Sequence, residues 1–167
     1  MQEYNDYVTA TREYLRRYRE FEATVANLRE EAAAQEALLK IETAAPIAKY
    51  GDNPGGGTSE LNAVEAAAAR KINIEATIAK ITREANNIER VLRKVDRALE
   101  ALTAQERQLV TGYYIDRKSW RDLSIDHYMT EKWARTCGGK AIKRLARMIF
   151  GNEAIPWQDS LFVFFGQ

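Results

Sequence analysis

The sequence has few of the residues that mark secreted, metal-binding or membrane proteins. Its 167 residues include one cysteine, Cys137, so no intramolecular disulfide can form, and one histidine, His127. No window has the length and apolarity of a transmembrane helix. The N-terminus, MQEYNDY, has neither the basic nor the apolar region of a signal peptide. We therefore expect a cytoplasmic protein that makes no contact with a membrane.

The short motifs of common catalytic and cofactor sites are also missing. The sequence has neither a Walker A motif nor a G-x-G-x-x-G motif, and Gly55-Gly56-Gly57 is not followed by Lys-Ser or Lys-Thr. His127 and Cys137, ten residues apart, suggest neither a metal site nor a nucleophile pair. We therefore predict a protein that is not an enzyme and that has no cofactor and no bound metal.

Glycine and proline are absent from residues 1–45, where apolar and aromatic residues recur at alternating spacings of three and four. This heptad pattern predicts one long α-helix over about residues 3–43 with a single packing stripe. The stripe consists of Tyr4, Tyr7, Thr11, Tyr14, Tyr18, Phe21, Val25, Leu28, Ala32, Gln35 and Leu39. We interpret it as structural core.

Residues 44–58 hold two prolines and four glycines, which predict a loop. The heptad spacing then returns, which predicts a second helix over about residues 59–102. Its stripe consists of Ile74, Ile78, Ile81, Ala85, Ile88, Leu92, Val95, Leu99 and Leu102. Two long helices joined by a loop predict an antiparallel hairpin over residues 1–102. Because each helix buries only one stripe, we expect the hairpin to form a homo-oligomer.

Residues 103–151 contain three signals for the start of a helix. Capping-box patterns begin at Thr103 and Ser119, and Thr130 can cap a further helix, which predicts helices over 104–116, 120–127 and 131–149. The short gap between the last two is typical of a helix-turn-helix. The predicted core of this domain is Leu109, Val110, Tyr113, Leu123, Ala134, Cys137, Ile142 and Leu145. The fold class is therefore all-α: a long, coiled-coil-like antiparallel hairpin followed by a small helix-turn-helix domain.

Positive charge is concentrated in this last region. The whole chain has a net charge of +1, whereas residues 117–147 hold nine Lys or Arg and three Asp or Glu, a net charge of +6. Such a concentration indicates a contact with nucleic acid, although a solvated basic helix would give the same pattern.

The segment LTAQERQLVTGYYIDRKSWRDLSIDHYMTEKWARTCGGKAIKRLARMIFG resembles region 4 of sigma factors, their C-terminal DNA-binding part. The matching positions are Glu106-Arg107, Tyr113-Tyr114, Ser119, Leu123, Thr130 and Ala141-Ile142-Lys143-Arg144-Leu145. Two features depart from the pattern: His127 stands where a core leucine is usual, and Gly138-Gly139 replaces larger residues.

Over about residues 40–151 the chain also resembles phage and prophage transcriptional regulators of the RinA/ArpU type. The tract GDNPGGGTSELNAVEAAAARKI and the ending KAIKRLARMIFG carry this likeness. The resemblance implies a sequence-specific DNA-binding regulator that activates phage late genes in the cytoplasm of a bacterial host cell. The sigma-like part further implies a contact with RNA polymerase.

The second helix of a helix-turn-helix presents its N-terminal residues to the bases in the major groove of double-stranded DNA. We expect Arg135 to bind guanine O6 and N7, and Glu131 to accept from a cytosine amino group. Lys and Arg further along the helix would contact phosphates, as would the start of the preceding helix. The predicted DNA-binding residues are Arg117, Lys118, Ser119, Arg121, Thr130, Glu131, Lys132, Arg135, Thr136, Lys140, Lys143 and Arg144.

Three aromatic and glycine features leave alternatives open. We expect Trp120 to pack inside the small domain. Trp133 could stack on a sugar or a thymine methyl group of DNA, but we expect it to lie in the core or at the rim. Each residue of the Gly138-Gly139 pair costs about 1 kcal/mol relative to alanine inside a helix. The pair could kink the recognition helix, or it could let the helix pass close to another backbone.

Two other functions fit the same organisation. A phage small-terminase subunit likewise combines a helix-turn-helix with an oligomerising hairpin, and a coiled-coil adaptor would bind protein alone. The apolar tail, residues 152–167 with Leu161 to Phe165 as a continuous apolar run, either folds back on its own domain or docks on a neighbouring molecule.

Overall fold

The structure is a computed structural model that describes residues 4–44 and 57–154, and every regular element within these ranges is helical. The α-helices are α1 (Tyr4–Arg16), α2 (Tyr18–Ala44), α3 (Gly57–Glu100), α4 (Ala104–Val110), α5 (Trp120–Asp126) and α6 (Glu131–Phe150). A π-helix (Thr111–Ile115) follows α4, and a 3-10 helix (Gly151–Ala154) follows α6. The all-α prediction is confirmed. Most of the predicted loop 44–58 and of the predicted tail 152–167 lies outside the described residues.

The first predicted helix is divided at Arg17, which separates α1 from α2. The division is local, because Arg17 still donates to the Glu13 carbonyl and Phe21 donates to the Arg17 carbonyl. At this point the guanidinium of Arg117 donates to the carbonyl of Arg16, at 2.7 Å. A side chain that binds a helix carbonyl from outside can compete with the helix's own hydrogen bonds, and this bond coincides with the interruption.

The chain divides into two compact units. Within the described ranges, the first unit contains residues 4–22 and 90–154, and the second contains residues 23–44 and 57–89. The domain boundary predicted at residue 102 falls inside the first unit. The first unit thus combines α1, the start of α2 and the end of α3 with the C-terminal helices.

The second unit is a two-helix hairpin with a narrow core. Residue 29 of α2 lies near residues 86 and 89 of α3, and residue 42 lies near residue 70, so the helices are antiparallel. The predicted stripes do face each other. Only Ala32, Ile81 and Ala85 are fully buried, and the other stripe residues of this unit are half-buried. A pair of helices buries little apolar surface, which explains the narrow core.

The core of the first unit lies between α1, the end of α3 and α6. Its buried residues include Val8, Leu15, Val95, Leu99, Val110, Ile142 and Leu145. Val8 and Leu15 lie beside the predicted stripe rather than on it. They are buried because α1 packs against α6, which requires a second line of apolar residues on α1. The ring of Phe150 lies 5.1 Å from that of Tyr7 and thereby joins the end of α6 to α1.

The helix predicted over residues 104–116 is α-helical only as far as Val110 and continues as a π-helix over Thr111–Ile115. The wider turn is closed by a hydrogen bond of 2.9 Å from the Asp116 N–H to the Thr111 carbonyl. Gly112 lies within it, and a Cβ atom there would come within 2.5 Å of Leu123 Cδ2. A side chain at residue 112 would therefore require the Leu123 side chain to move.

Candidate nucleic-acid interface

The three helices of the predicted DNA-binding domain begin where their capping residues lie. Thr103 Oγ1 accepts from the Glu106 N–H, and the Glu106 carboxylate accepts from the Thr103 N–H at 3.1 Å, which completes the capping box. Ser119 Oγ accepts from the backbone N–H of Asp122 at 3.1 Å, and Thr130 Oγ1 caps α6 in the same way. Each cap satisfies one N–H group that the first turn of a helix leaves unbonded. All three predicted helix starts are confirmed.

The small core that positions α5 and α6 contains the residues expected there. Six of the eight predicted core residues are buried, and Tyr113 and Cys137 are half-buried. Trp120 is also buried, and its ring stacks on that of Tyr113 with the centroids 4.1 Å apart. The expectation that Trp120 packs within the domain is confirmed.

The two adjacent glycines of α6 have different surroundings. Helix α6 runs from Glu131 to Phe150 and remains α-helical through both of them. Gly138 is buried, and a Cβ atom at this position would lie 2.4 Å from Trp120 Cη2. Gly139 is half-buried, and its Cβ would meet no atom within 4 Å. The close approach considered for the pair thus occurs at Gly138, and its partner is a side chain rather than a backbone.

Four of the predicted DNA contacts form an exposed stripe on α6. Lys132, Thr136, Lys140 and Lys143 are all exposed, and their spacings of four, four and three residues place them on one helix face. Arg147, also exposed, continues the same face. The opposite face holds the buried residues Ala134, Gly138, Ala141, Ile142 and Leu145. We call Lys132, Thr136, Lys140, Lys143 and Arg147 the basic stripe.

Glu131 and Arg135 form an ion pair at the N-terminal end of α6. The guanidinium donates to Glu131 Oε1 from Nε at 3.0 Å and from Nη2 at 2.5 Å. Both side chains remain substantially exposed. Exposed pairs of this kind contribute about 0–1 kcal/mol, so either residue can exchange its partner at low cost.

Arg144 has a different environment from the basic stripe. Its guanidinium donates to both carboxylate oxygens of Glu106, at 2.8 and 2.7 Å, and so joins α6 to α4. Burial favours the neutral form of Glu106, but the hydrogen bonds from Thr103 and Arg144 outweigh it, and the pKa of Glu106 is lowered. The structure therefore gives Arg144 an intramolecular partner that the sequence did not suggest.

Three of the four predicted contacts at the start of α5 also have partners within the chain. Arg117, in a left-handed conformation with φ of 59°, binds the Arg16 carbonyl. Lys118 Nζ lies 2.9 Å from an Asp126 carboxylate oxygen, and this hydrogen bond raises the pKa of the lysine. Ser119 caps α5, and Arg121 is exposed.

Sequence reasoning did not identify an exposed apolar group near the turn between α5 and α6. Tyr128 is 98% exposed with φ of 52°, and Ile125 is 64% exposed. Trp133, expected in the core or at its rim, is 47% exposed. The position of Tyr128 in a tight turn, where a bulky side chain rarely packs, is the signal that could have identified it.

None of the described helices has both the length and the apolarity needed to cross a bilayer. The described residues also include no group of three or more His, Cys, Asp or Glu side chains that could hold a metal ion. No family model matches the chain, and no curated protein or solved structure shows significant similarity to it.

Proposed function

We propose that this protein binds double-stranded DNA sequence-specifically, with α6 in the major groove, and that it regulates transcription. The observation that carries the proposal is the basic stripe, which lies on the face of α6 opposite to the buried residues. A major groove accommodates one α-helix, and a helix that packs by one face presents the other to the groove.

The charge of the stripe supports a polyanionic partner. Lys132, Lys140, Lys143 and Arg147 are exposed along one face of a 20-residue helix, and no acidic residue shares that face. Each cation that neutralises a phosphate releases a condensed counterion, which favours binding at low salt. The stripe would supply affinity for any duplex rather than recognition of a sequence.

We propose that side chains in the first two turns of α6 bind the DNA bases. Arg135 would exchange its bond with Glu131 for a bidentate bond to guanine, and the freed carboxylate could accept from a cytosine amino group. Arg144 and Arg117 would act indirectly, because their intramolecular bonds position α6 and the segment before α5.

The biological role rests on the resemblance to sigma region 4 and to RinA/ArpU-type regulators. It supports activation of phage late genes in a bacterial host, with RNA polymerase as a second partner. The three capped helices between Thr103 and Phe150 support only the helix-turn-helix part of this proposal.

Self-association through the hairpin is the second part of the proposal. Leu38, Ile41, Val64 and Ile72 expose large apolar side chains on the two helices of the second unit, whose own core is narrow. A second copy of the hairpin would cover these side chains and complete a bundle. An oligomer would also present several copies of α6 to one DNA duplex.

A competition gel-shift experiment tests the proposal. Labelled fragments from beside the gene for this protein are mixed with the full chain and excess random duplex. The Lys140→Glu/Lys143→Glu variant reverses two charges of the basic stripe, and Lys71→Glu/Lys80→Glu makes the same change on α3. We expect the wild type and the α3 variant to shift one fragment preferentially, and the α6 variant to bind about tenfold more weakly or worse. Absence of binding to every duplex, or equal losses in both variants, would refute the proposal.

A further inference from the structure

Gly139 is a glycine in a helix whose described surroundings do not require it. A Cβ atom at Gly139 would meet nothing within 4 Å, whereas Gly138 is needed for the packing of Trp120. Its backbone is ordinary α-helix, and of the described glycines only Gly151 has a positive φ. Because glycine destabilises a helix interior relative to alanine, Gly139 weakens α6 without serving its packing. No described residue accounts for glycine at this position, and a molecule that binds α6 would account for it.

The neighbours of Gly139 on the helix surface indicate the charge of that contact. Arg135 and Thr136 precede it by one turn, and Lys143 follows it by one turn, all three exposed. Residues three and four apart are neighbours on a helix surface. Gly139 is thus a gap without a side chain between Arg135, which we assign to base recognition, and the basic stripe. A polyanion would fit this gap.

From these observations we infer that Gly139 is the point of closest approach between α6 and bound DNA, where the helix backbone contacts the duplex directly. This inference rests on the proposed function and deepens it. A methyl group at residue 139 would hold α6 away from the groove and lengthen the contacts of Arg135 and Lys143. A second copy of α6 fits the same gap poorly, because it would bring the cationic residues of both copies together.

The test uses the full-length variants Gly139→Ala and Gly139→Leu, with Ala79→Leu, at an exposed position of α3, as the control. Their affinities for a labelled random-sequence duplex, about three helical turns long, are measured by fluorescence anisotropy at low salt. Circular dichroism checks that all variants remain helical. We expect affinity to fall with side-chain size, by about tenfold or more for Gly139→Leu, while the control binds as the wild type does.

The outcomes separate this inference from the proposed function. If the wild type binds DNA and both Gly139 variants bind equally well, the inference is wrong and the proposed function stands. If the wild type binds no duplex, both are wrong. If sedimentation without DNA shows that Gly139→Leu dissociates an oligomer, the gap belongs to a contact between copies, and the inference is overturned.

Discussion

The indole ring of Trp120 lies so close to Gly138 that a methyl group at residue 138 would approach Cη2 to 2.4 Å. One face of the indole is covered by Tyr113 of the π-helix, whose ring stacks on it with the centroids 4.1 Å apart. The tryptophan is therefore held between α6 and the π-helix. This arrangement limits how near α5 lies to α6.

The two neighbouring glycines of α6 are expected to respond oppositely to alanine. Gly138→Ala forces a methyl group against the Trp120 ring and should destabilise the protein by about 1–3 kcal/mol, as overpacked cores do. Gly139→Ala adds a methyl group in open space and should stabilise it by roughly 0.5–1 kcal/mol through helix propensity. Urea denaturation measures both free energies of unfolding.

A double-mutant cycle with Trp120→Leu identifies the cause. The smaller side chain leaves room for the methyl group, so Gly138→Ala should cost less in that background than in the wild type. The Gly139→Ala effect should be unchanged by Trp120→Leu. If Trp120→Leu changed the effects of Gly138→Ala and Gly139→Ala on the free energy of unfolding by the same amount, the packing described for Gly138 would be contradicted.

Glu106 should make the stability of the first unit depend on pH. Its folded-state pKa lies below its usual value of about 4.5, so between the folded-state and unfolded-state pKa values the unfolded chain binds more protons than the folded one. The stabilisation is therefore complete above the unfolded-state pKa and is lost as the pH falls through the lower folded-state pKa. Denaturation at pH 7 and pH 3.5, roughly either side of 4.5, should show a smaller pH-dependent loss for Glu106→Gln than for the wild type.

Glu131→Gln provides the control for this experiment. Both variants lose a carboxylate bonded to an arginine, but the Glu131–Arg135 pair is exposed, whereas the Glu106 side chain is largely buried. The exposed pair should contribute about 0–1 kcal/mol, so Glu131→Gln should change the free energy of unfolding little. If the free energy of unfolding changed with pH by the same amount in Glu106→Gln and in the wild type, Glu106 would not be the cause of the pH dependence.

Arg135 and Lys132 should affect DNA binding in different ways. Arg135→Ala should reduce discrimination between a specific duplex and a random one by about 1–3 kcal/mol, because a bidentate contact to a base is lost. Lys132→Ala should weaken binding to both duplexes by similar factors, since a phosphate contact carries no sequence information. Competition binding with both duplexes distinguishes the two results. Equal effects of both variants on discrimination would argue against base recognition by Arg135.

Self-association should depend on the exposed apolar residues of the hairpin. Ile41 and Ile72 are 67% and 66% exposed, so replacing either by aspartate should leave the monomer folded and reduce the mass of the oligomer. Ile125→Asp introduces the same charge at a comparably exposed isoleucine in the first unit, and it should leave the mass unchanged. Sedimentation equilibrium measures the mass of the wild type and of each variant. A monomeric wild type, or an equal effect of Ile125→Asp, would contradict assembly through the hairpin.

Much of the fold followed from local sequence signals. Capping residues such as Thr103 act on N–H groups three residues away, and heptad stripes act over adjacent turns, so both are visible in the sequence. The break at Arg17 was not predicted because it coincides with the bond from Arg117 to Arg16, a hundred and one residues apart in sequence. The π-helix was not predicted either, because the sequence showed no feature that distinguishes it from an α-helix.

In the candidate site, too, the sequence predicts what depends on spacing within one helix and not what depends on contacts between helices. The spacing of Lys132, Thr136, Lys140 and Lys143 is enough to place them on one face of a helix. The pairing of Arg144 with Glu106 joins two helices whose relative position only the tertiary structure gives. The opposite surroundings of Gly138 and Gly139 likewise depend on where Trp120 packs, which no spacing within α6 reveals.

The most direct test of the central claim is fluorescence anisotropy of the full-length protein on labelled duplex DNA, titrated across salt concentrations. We predict binding at low salt whose affinity falls steeply with salt, and a logarithmic slope reduced by about two for Lys140→Ala/Lys143→Ala, close to one for each phosphate contact removed. The same double substitution at Lys71 and Lys80 of α3 should leave the slope unchanged. Absence of binding at the lowest salt would contradict the proposal that α6 binds DNA.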